Sequence, residues 1–314
     1  MNRNAAFFID DVIWTFRDLA RLRPQSLFDN PFMKMLKTAH DLYGMKVQLN
    51  VFLRTDFYYG NDEFNLREMP DCYKSEFEEA SDWLKLAFHA KQEFPDYPYV
   101  NASYEDAKAN YDEFKNAVCH FAGEKSIAVT PIIHWGAMSL DGCKALYNSG
   151  VRLLSASPGK RTEYNGDPTT LPYGHAGRLL QNRKPEAMVF ERDTRDKSIK
   201  ASICSHNFIN EEQFAETKYT LNAIKDEATG LYFKKLNVGL VLNLTPLNEL
   251  EEEFLLKGIG REYCGYSTHE QYFYPDYSHY QPDYQQRIET ACRIMQEKGW
   301  QSIRMDELAI VPLD

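Results

Sequence analysis

Short apolar runs and helix-spaced segments alternate along nearly the whole of this 314-residue chain, and few folds accept that alternation. Residues 7–12 read as a buried strand ending in the adjacent carboxylates Asp10 and Asp11. Asn30 and Pro31 open a helix, with an N-cap followed by Pro in the first turn. Phe32, Met35, Leu36, Ala39 and Leu42 then recur at helical spacing until Gly44 stops the run. Residues 47–53 form the next strand. A strand, helix and strand in one sheet require a right-handed crossover and parallel pairing. The same rhythm predicts strands at 83–88, 127–133, 151–156, 238–242, 263–268 and 302–304. Helices are predicted at 103–123, 139–150, 210–226, 247–256 and 282–299. Residues 15–29 and 54–80 read as loops. Pro131 is awkward in a central strand and predicts a bulge there.

The expected fold is therefore a mostly parallel α/β structure. It forms one domain over residues 1–314, with a β-hairpin insertion at about 157–209, where Gly, Pro and Asn turns break the rhythm. The formal net charge of -10 offers no basic stripe for nucleic acid or anionic membrane surfaces. No stretch has the length of a membrane span. Asp10 and Asp11 interrupt the only early apolar run, so no secretory leader is expected and a cytoplasmic location is. The six cysteines are scattered, without a C-x-x-C pair, and are expected as free thiols. Nothing in the sequence fixes the oligomeric state, and a homo-oligomer is compatible with it.

Four predicted strands end in a metal-binding or proton-transferring side chain: Asp10-Asp11, His89, His134 and His269. In a closed or nearly closed parallel barrel such ends meet at one face. His89 and Glu93 stand four apart, on one face of a helical turn, so both could reach one ion. Imidazoles with carboxylates suit Zn²⁺ first, with Fe²⁺, Co²⁺ or Mn²⁺ as alternatives. Trp14, Trp135, Glu270 and Tyr272 are candidate substrate contacts beside these strand ends, and the run Gln271-Tyr272-Phe273-Tyr274 with Tyr277 is a candidate aromatic sugar platform.

This pattern resembles the polysaccharide deacetylases with NodB-type homology, over most of the chain. Their first motif is T-F-D-D-G, and Phe8-Ile9-Asp10-Asp11-Val12 stands in its place. The resemblance implies a distorted seven-stranded (β/α) barrel with Asp11 as metal ligand and Asp10 as catalytic base. Of the family's H-x-x-x-H, only His89 is present, with Glu93 at the second position. Ile133-His134-Trp135-Gly136 replaces the family's Arg-Pro-Pro-Tyr, which leaves His134 to supply the missing imidazole. The late Leu-x-His falls at Ser267-Thr268-His269 and makes His269 the candidate general acid. The implied activity is metal-dependent removal of an acyl group from an N- or O-acylated carbohydrate or another small acylated substrate. Two alternatives follow from the departures: an inactive carbohydrate-binding barrel, and a glycosidase using paired carboxylates such as Asp10 and Glu270.

Overall fold

The computed structural model describes residues 3–55, 63–93, 98–99, 102–136, 138–158, 208–209 and 211–309. Most of the expected insertion lies outside these residues, as do His175, His206 and Cys204. The strands are β1 (Arg3–Val12), β2 (Val47–Phe52), β3 (Leu84–Ala90), β4 (Leu153–Ser155), β5 (Ser157–Pro158), β6 (Phe208–Ile209), β7 (Ile224–Lys225), β8 (Tyr232–Lys234), β9 (Leu240–Val241), β10 (Tyr263–His269) and β11 (Trp300–Ile303). The α-helices are α1 (Trp14–Leu22), α2 (Pro31–Tyr43), α3 (Lys74–Glu79), α4 (Tyr104–Phe121), α5 (Leu140–Asn148), α6 (Glu211–Tyr219), α7 (Leu250–Gly258) and α8 (Tyr284–Glu297).

The central sheet is parallel throughout, in the order β3-β2-β1-β10-β9, with β11 also paired to β1. β10 covers one edge of β1 from Asn4 to Asp10. On the other edge β11 pairs with Arg3–Ala6 and β2 with Phe7–Val12, so two strands share that edge end to end. β2 is buried at all six positions, as a parallel strand covered on both faces must be.

Single backbone bonds continue the sheet beyond its ladders. Ala128 N donates to Leu86 O, Arg152 N to Val129 O, and Tyr232 N to Arg152 O. Val238 N donates to Gly265 O, which brings the chain after β8 back to β10. Ladder pairing does not run the full circuit, so the described residues show a parallel sheet extended by isolated bonds in place of the expected seven-stranded barrel. Residues 127–133, predicted as a full strand, make one bridge, between Ile127 and Leu86. Pro131 has no N–H to give, and Thr130 O is taken by the Gln48 side chain at 3.0 Å.

The helices form where their caps allow. Asn30 Oδ1 accepts from Phe32 N and Met33 N at 3.0 and 3.1 Å, Pro31 sits in the first turn, and Gly44 closes α2 at φ 66°. α2 buries Phe32, Met33, Met35, Leu36 and Ala39, while Leu42 is exposed. α1 replaces the loop expected after Trp14. Its start has no local side-chain cap. The fully buried Glu270 supplies it instead, accepting from Ile13 N, Trp14 N and Thr15 N at 2.7, 2.9 and 2.7 Å. Glycine is required at 265, because a Cβ there would stand 1.5 Å from Leu236 O.

Candidate metal centre and its cavity

The C-terminal ends of β1, β3 and β10 open into a cavity of about 460 Å³. Asp10, Asp11, His89, His134, Trp135, Tyr272 and His269 line it, together with Lys235, Asn237, Asn243 and His279. Asp11 ends β1 at φ 62°, a left-handed conformation that non-glycine residues rarely adopt. Trp135, in the turn that presents His134, has φ 65°. Two of the three non-glycine residues with positive φ among the described residues thus lie in this wall, which points to function.

Asp11, His89 and His134 form a buried group whose donor atoms all lie within 4.8 Å of one another. His89 Nε2 is 3.1 Å from Asp11 Oδ1, His134 Nδ1 is 3.5 Å from the same oxygen, and the two ring nitrogens are 3.1 Å apart. Phe52 packs against both rings, with centroids 5.2 Å away in each case. The outer nitrogens fix the tautomers. His89 Nδ1 pairs with Ile132 O, and His134 Nε2 with Glu93 O at 2.9 Å. A carbonyl can only accept, so each outer nitrogen carries a hydrogen, and each inner nitrogen faces the Asp11 carboxylate, donating to it when the ring is protonated and presenting a lone pair when the ring is neutral. With both rings neutral, two nitrogens and one carboxylate oxygen converge on one point, an N₂O donor set that could hold a cation and suits Zn²⁺.

The surrounding groups hold this arrangement. Gln271 Nε2 donates to Asp11 Oδ2 at 2.8 Å, and Asn50 Nδ2 to Asp10 Oδ1 at 2.7 Å. Asn50 is itself held by Gln48 at 2.8 Å, and Gln48 by Thr130 at 3.0 Å. Burial pushes the Asp11 carboxyl up, but hydrogen bonds from His134 and His89 overturn that and hold it well below the usual range. For Asp10 burial prevails over the attraction of His89 and His269, and its carboxyl is raised. Burial lowers the His89 imidazole, and its bond to Asp11 with the charge of Asp10 reverses the sign, leaving it raised. His269 lies opposite Asp10 in the parallel register and pairs through Nδ1 with Asn243 Oδ1 at 3.0 Å.

Several expected site residues sit elsewhere. Glu93 backs His134, with its carboxylate 3.9 Å from Nε2, and stands outside the three-residue group. Trp14 is buried against Tyr274 and Tyr277, at 5.0 and 6.2 Å between centroids, and does not line the cavity. Of the expected aromatic platform only Tyr272 reaches the wall. Glu270 is turned onto the start of α1. Burial pushes its carboxyl up to about 7 while three N–H groups pull it down, and it does not line the cavity. With both oxygens occupied, it cannot serve as one of a glycosidase pair with Asp10. Sequence reasoning passed over Asn50, Asn243 and Lys235, and it placed Gln271 in the sugar platform rather than against Asp11. The visible signal for Asn50 was the pair of polar residues, Gln48 and Asn50, inside an otherwise apolar strand.

Five of the six cysteines are described, and all five are free thiols. Among the described residues no helix is long and apolar enough to cross a membrane.

No protein-family model and no curated protein sequence matches the chain. Solved structures do. The 4-alpha-glucanotransferase from Thermococcus litoralis aligns over 98% of this chain at 10% identity with a TM-score of 0.52. This chain spans 40% of that protein's length. The Xyl-CE4 domain of a multidomain xylanase from the hindgut metagenome of Trinervitermes trinervoides aligns over 98% of this chain and 90% of its own, at 10% identity and a TM-score of 0.42. At 10% identity the likeness to the glucanotransferase is one of fold alone.

Proposed function

We propose that this protein is a metal-dependent hydrolase that removes an acyl group from an N- or O-acylated carbohydrate. The observation that carries the proposal is the convergence of Asp11, His89 and His134 on one point in the cavity, with Asp10 and His269 on adjoining strand ends. The motif order of the sequence supports the same reading. Zn²⁺ is the first choice of cation, and bound there it supplies Lewis acidity toward an acyl carbonyl and toward water.

The chain's own residues divide the remaining work. Asp11, clamped by Gln271, holds its carboxylate on the cation site. Asp10, fixed by Asn50, accepts the proton that water gives up on attacking the carbonyl. Its raised pKa, from burial, makes it a stronger base than an exposed carboxylate. His269, oriented by Asn243, delivers a proton to the departing nitrogen or oxygen. Tyr272 and Trp135 shape the wall against which a sugar ring packs.

The test is direct. Purified protein is titrated with Zn²⁺ by calorimetry, and acetate release is followed on acetylated chitooligosaccharides and acetylated xylan. The wild-type protein is expected to bind one ion and to release acetate. Asp11→Ala, His89→Ala and His134→Ala are each expected to weaken Zn²⁺ binding by about 10²-fold or more, the loss of one ligand of a site worth about 10–16 kcal/mol in total. Equal Zn²⁺ affinity in all four proteins would sink the assignment. Glycan binding by a Zn²⁺-loaded protein that releases no acetate would favour an inactive carbohydrate-binding role.

A further inference from the structure

Asn243 occupies the turn Leu242–Leu244 that follows β9, and its side chain lines the cavity. The residue is 5% exposed. Its Oδ1 is doubly used, accepting from Thr268 Oγ1 at 3.2 Å and pairing with His269 Nδ1 at 3.0 Å. Its Nδ2 is buried and has no hydrogen-bond partner among the described residues. A buried donor left unmade costs about 1–3 kcal/mol, and groups of this kind recur where a ligand completes the bonding.

The turn is held firmly enough for this placement to be specific. Gln281 Nε2 donates to Asn243 O at 2.8 Å, and Arg287 Nη1 to Leu242 O at 2.9 Å. The amide is therefore fixed at both ends, by its backbone and by Oδ1. The Nδ2 hydrogens are what it has left to offer.

We infer that Asn243 is a substrate-contacting residue whose Nδ2 donates to an oxygen acceptor of the bound carbohydrate, beside His269. The inference rests on the proposed function and adds to it the group that reads the substrate. The acceptor is an acyl carbonyl oxygen or a sugar hydroxyl oxygen, and the two are separable by experiment. A carboxylate at this point could not donate, so Asn and Asp are not interchangeable here. Asp keeps the oxygen that serves Thr268 and His269 but replaces the donor with a second acceptor.

That contrast is the test. Zn²⁺-loaded full-length protein is titrated with N-acetylated chitotriose and with its fully deacetylated counterpart, in wild type, Asn243→Asp and Asn243→Ala. Zn²⁺ affinity is measured in parallel and is expected to be the same in all three, which shows the variants to be folded at the site. Both variants are expected to bind the trisaccharide at least about 10-fold more weakly, the loss of one buried hydrogen bond. A loss confined to the acetylated ligand assigns the donor to the acyl carbonyl, and an equal loss for both assigns it to a hydroxyl. If Asn243 merely anchored His269, Asp would serve as well, and binding by Asn243→Asp within twofold of wild type overturns the inference alone. Wild-type protein that takes up Zn²⁺ and binds neither trisaccharide overturns the carbohydrate reading, and this inference with it.

Discussion

Lys234 ends β8 with its side chain fully buried, and its pH behaviour can be worked out from its surroundings. Its Nζ donates to Thr217 O and Thr220 O and stands 4.0 Å from the centroid of the Tyr263 ring. Burial lowers its pKa from 10.5 to about 7. A lysine with a depressed folded value is protonated more in the unfolded chain than in the native one between pH 7 and 10.5. Stability therefore rises with pH through that window. The full shift corresponds to about 5 kcal/mol, and about 2 kcal/mol of it is gained between pH 7 and pH 9. Lys234→Met removes the titrating group and keeps the apolar stem. Urea unfolding is measured for both proteins at pH 7, 8 and 9. With a slope of roughly 3 kcal/mol per molar urea, the wild-type midpoint should climb by about 0.7 M more than the variant's over this range. Other groups titrate alike in both proteins and cancel. Parallel midpoints would refute the reasoning. They would mean that two carbonyls and the face of Tyr263 hold the ammonium charged despite its burial.

Two further substitutions probe the supports of the site. Gly265→Ala sets a Cβ 1.5 Å from Leu236 O and should force that segment off β10, breaking Val238 N→Gly265 O and Tyr263 Oη→Leu236 O. The expected cost is about 3 kcal/mol or more, read by urea unfolding together with faster exchange of the Val238 amide, and a cost under about 1 kcal/mol would reject the steric argument. Glu270→Ala leaves the N–H groups of Ile13, Trp14 and Thr15 without their acceptor and should cost on the order of 4 kcal/mol. Calorimetry should show a melting temperature lower by about 6 °C, and an unchanged one would show that local contacts hold the start of α1.

What was legible in the chain depended on how locally it was encoded. α2 carries its own N-cap, its own Pro and its own terminal glycine, and it forms where those residues direct. β1, β3 and β10 were visible as apolar runs, and the His and Asp residues at their ends do face one cavity. α1 was not visible, because its cap is a carboxylate more than 250 residues away in sequence. The same distance explains the misreading of Glu270. Next to His269 in sequence it looked like a site residue, yet adjacent residues at a strand end point in different directions. His269 faces the cavity, Glu270 the start of α1, and Gln271 the Asp11 carboxylate. Glu93 illustrates the limit of spacing arguments. Four residues after His89 would be one helical turn, but β3 runs on to Ala90 and residues 91–93 are not helical, so the carboxylate ends behind His134 instead.

The pairing of β1 has a consequence for how the protein is made. β1 leaves the ribosome before the strands it pairs with, which are Tyr263–His269 on one edge and, for its first residues, Trp300–Ile303 on the other. At about 5–20 residues per second, roughly 15–60 s pass between synthesis of β1 and synthesis of β11. Until β10 is made, β2 is the one central-sheet partner available to β1, and the other edge of β1 is an open template for unwanted strands. The carboxylates of Asp10 and Asp11 are thus among the earliest parts of the site to be synthesised and among the last to be framed. A chain stalled before β10 would carry Asp10 and Asp11 on an unguarded edge, the form that a nascent-chain chaperone would have most reason to cover.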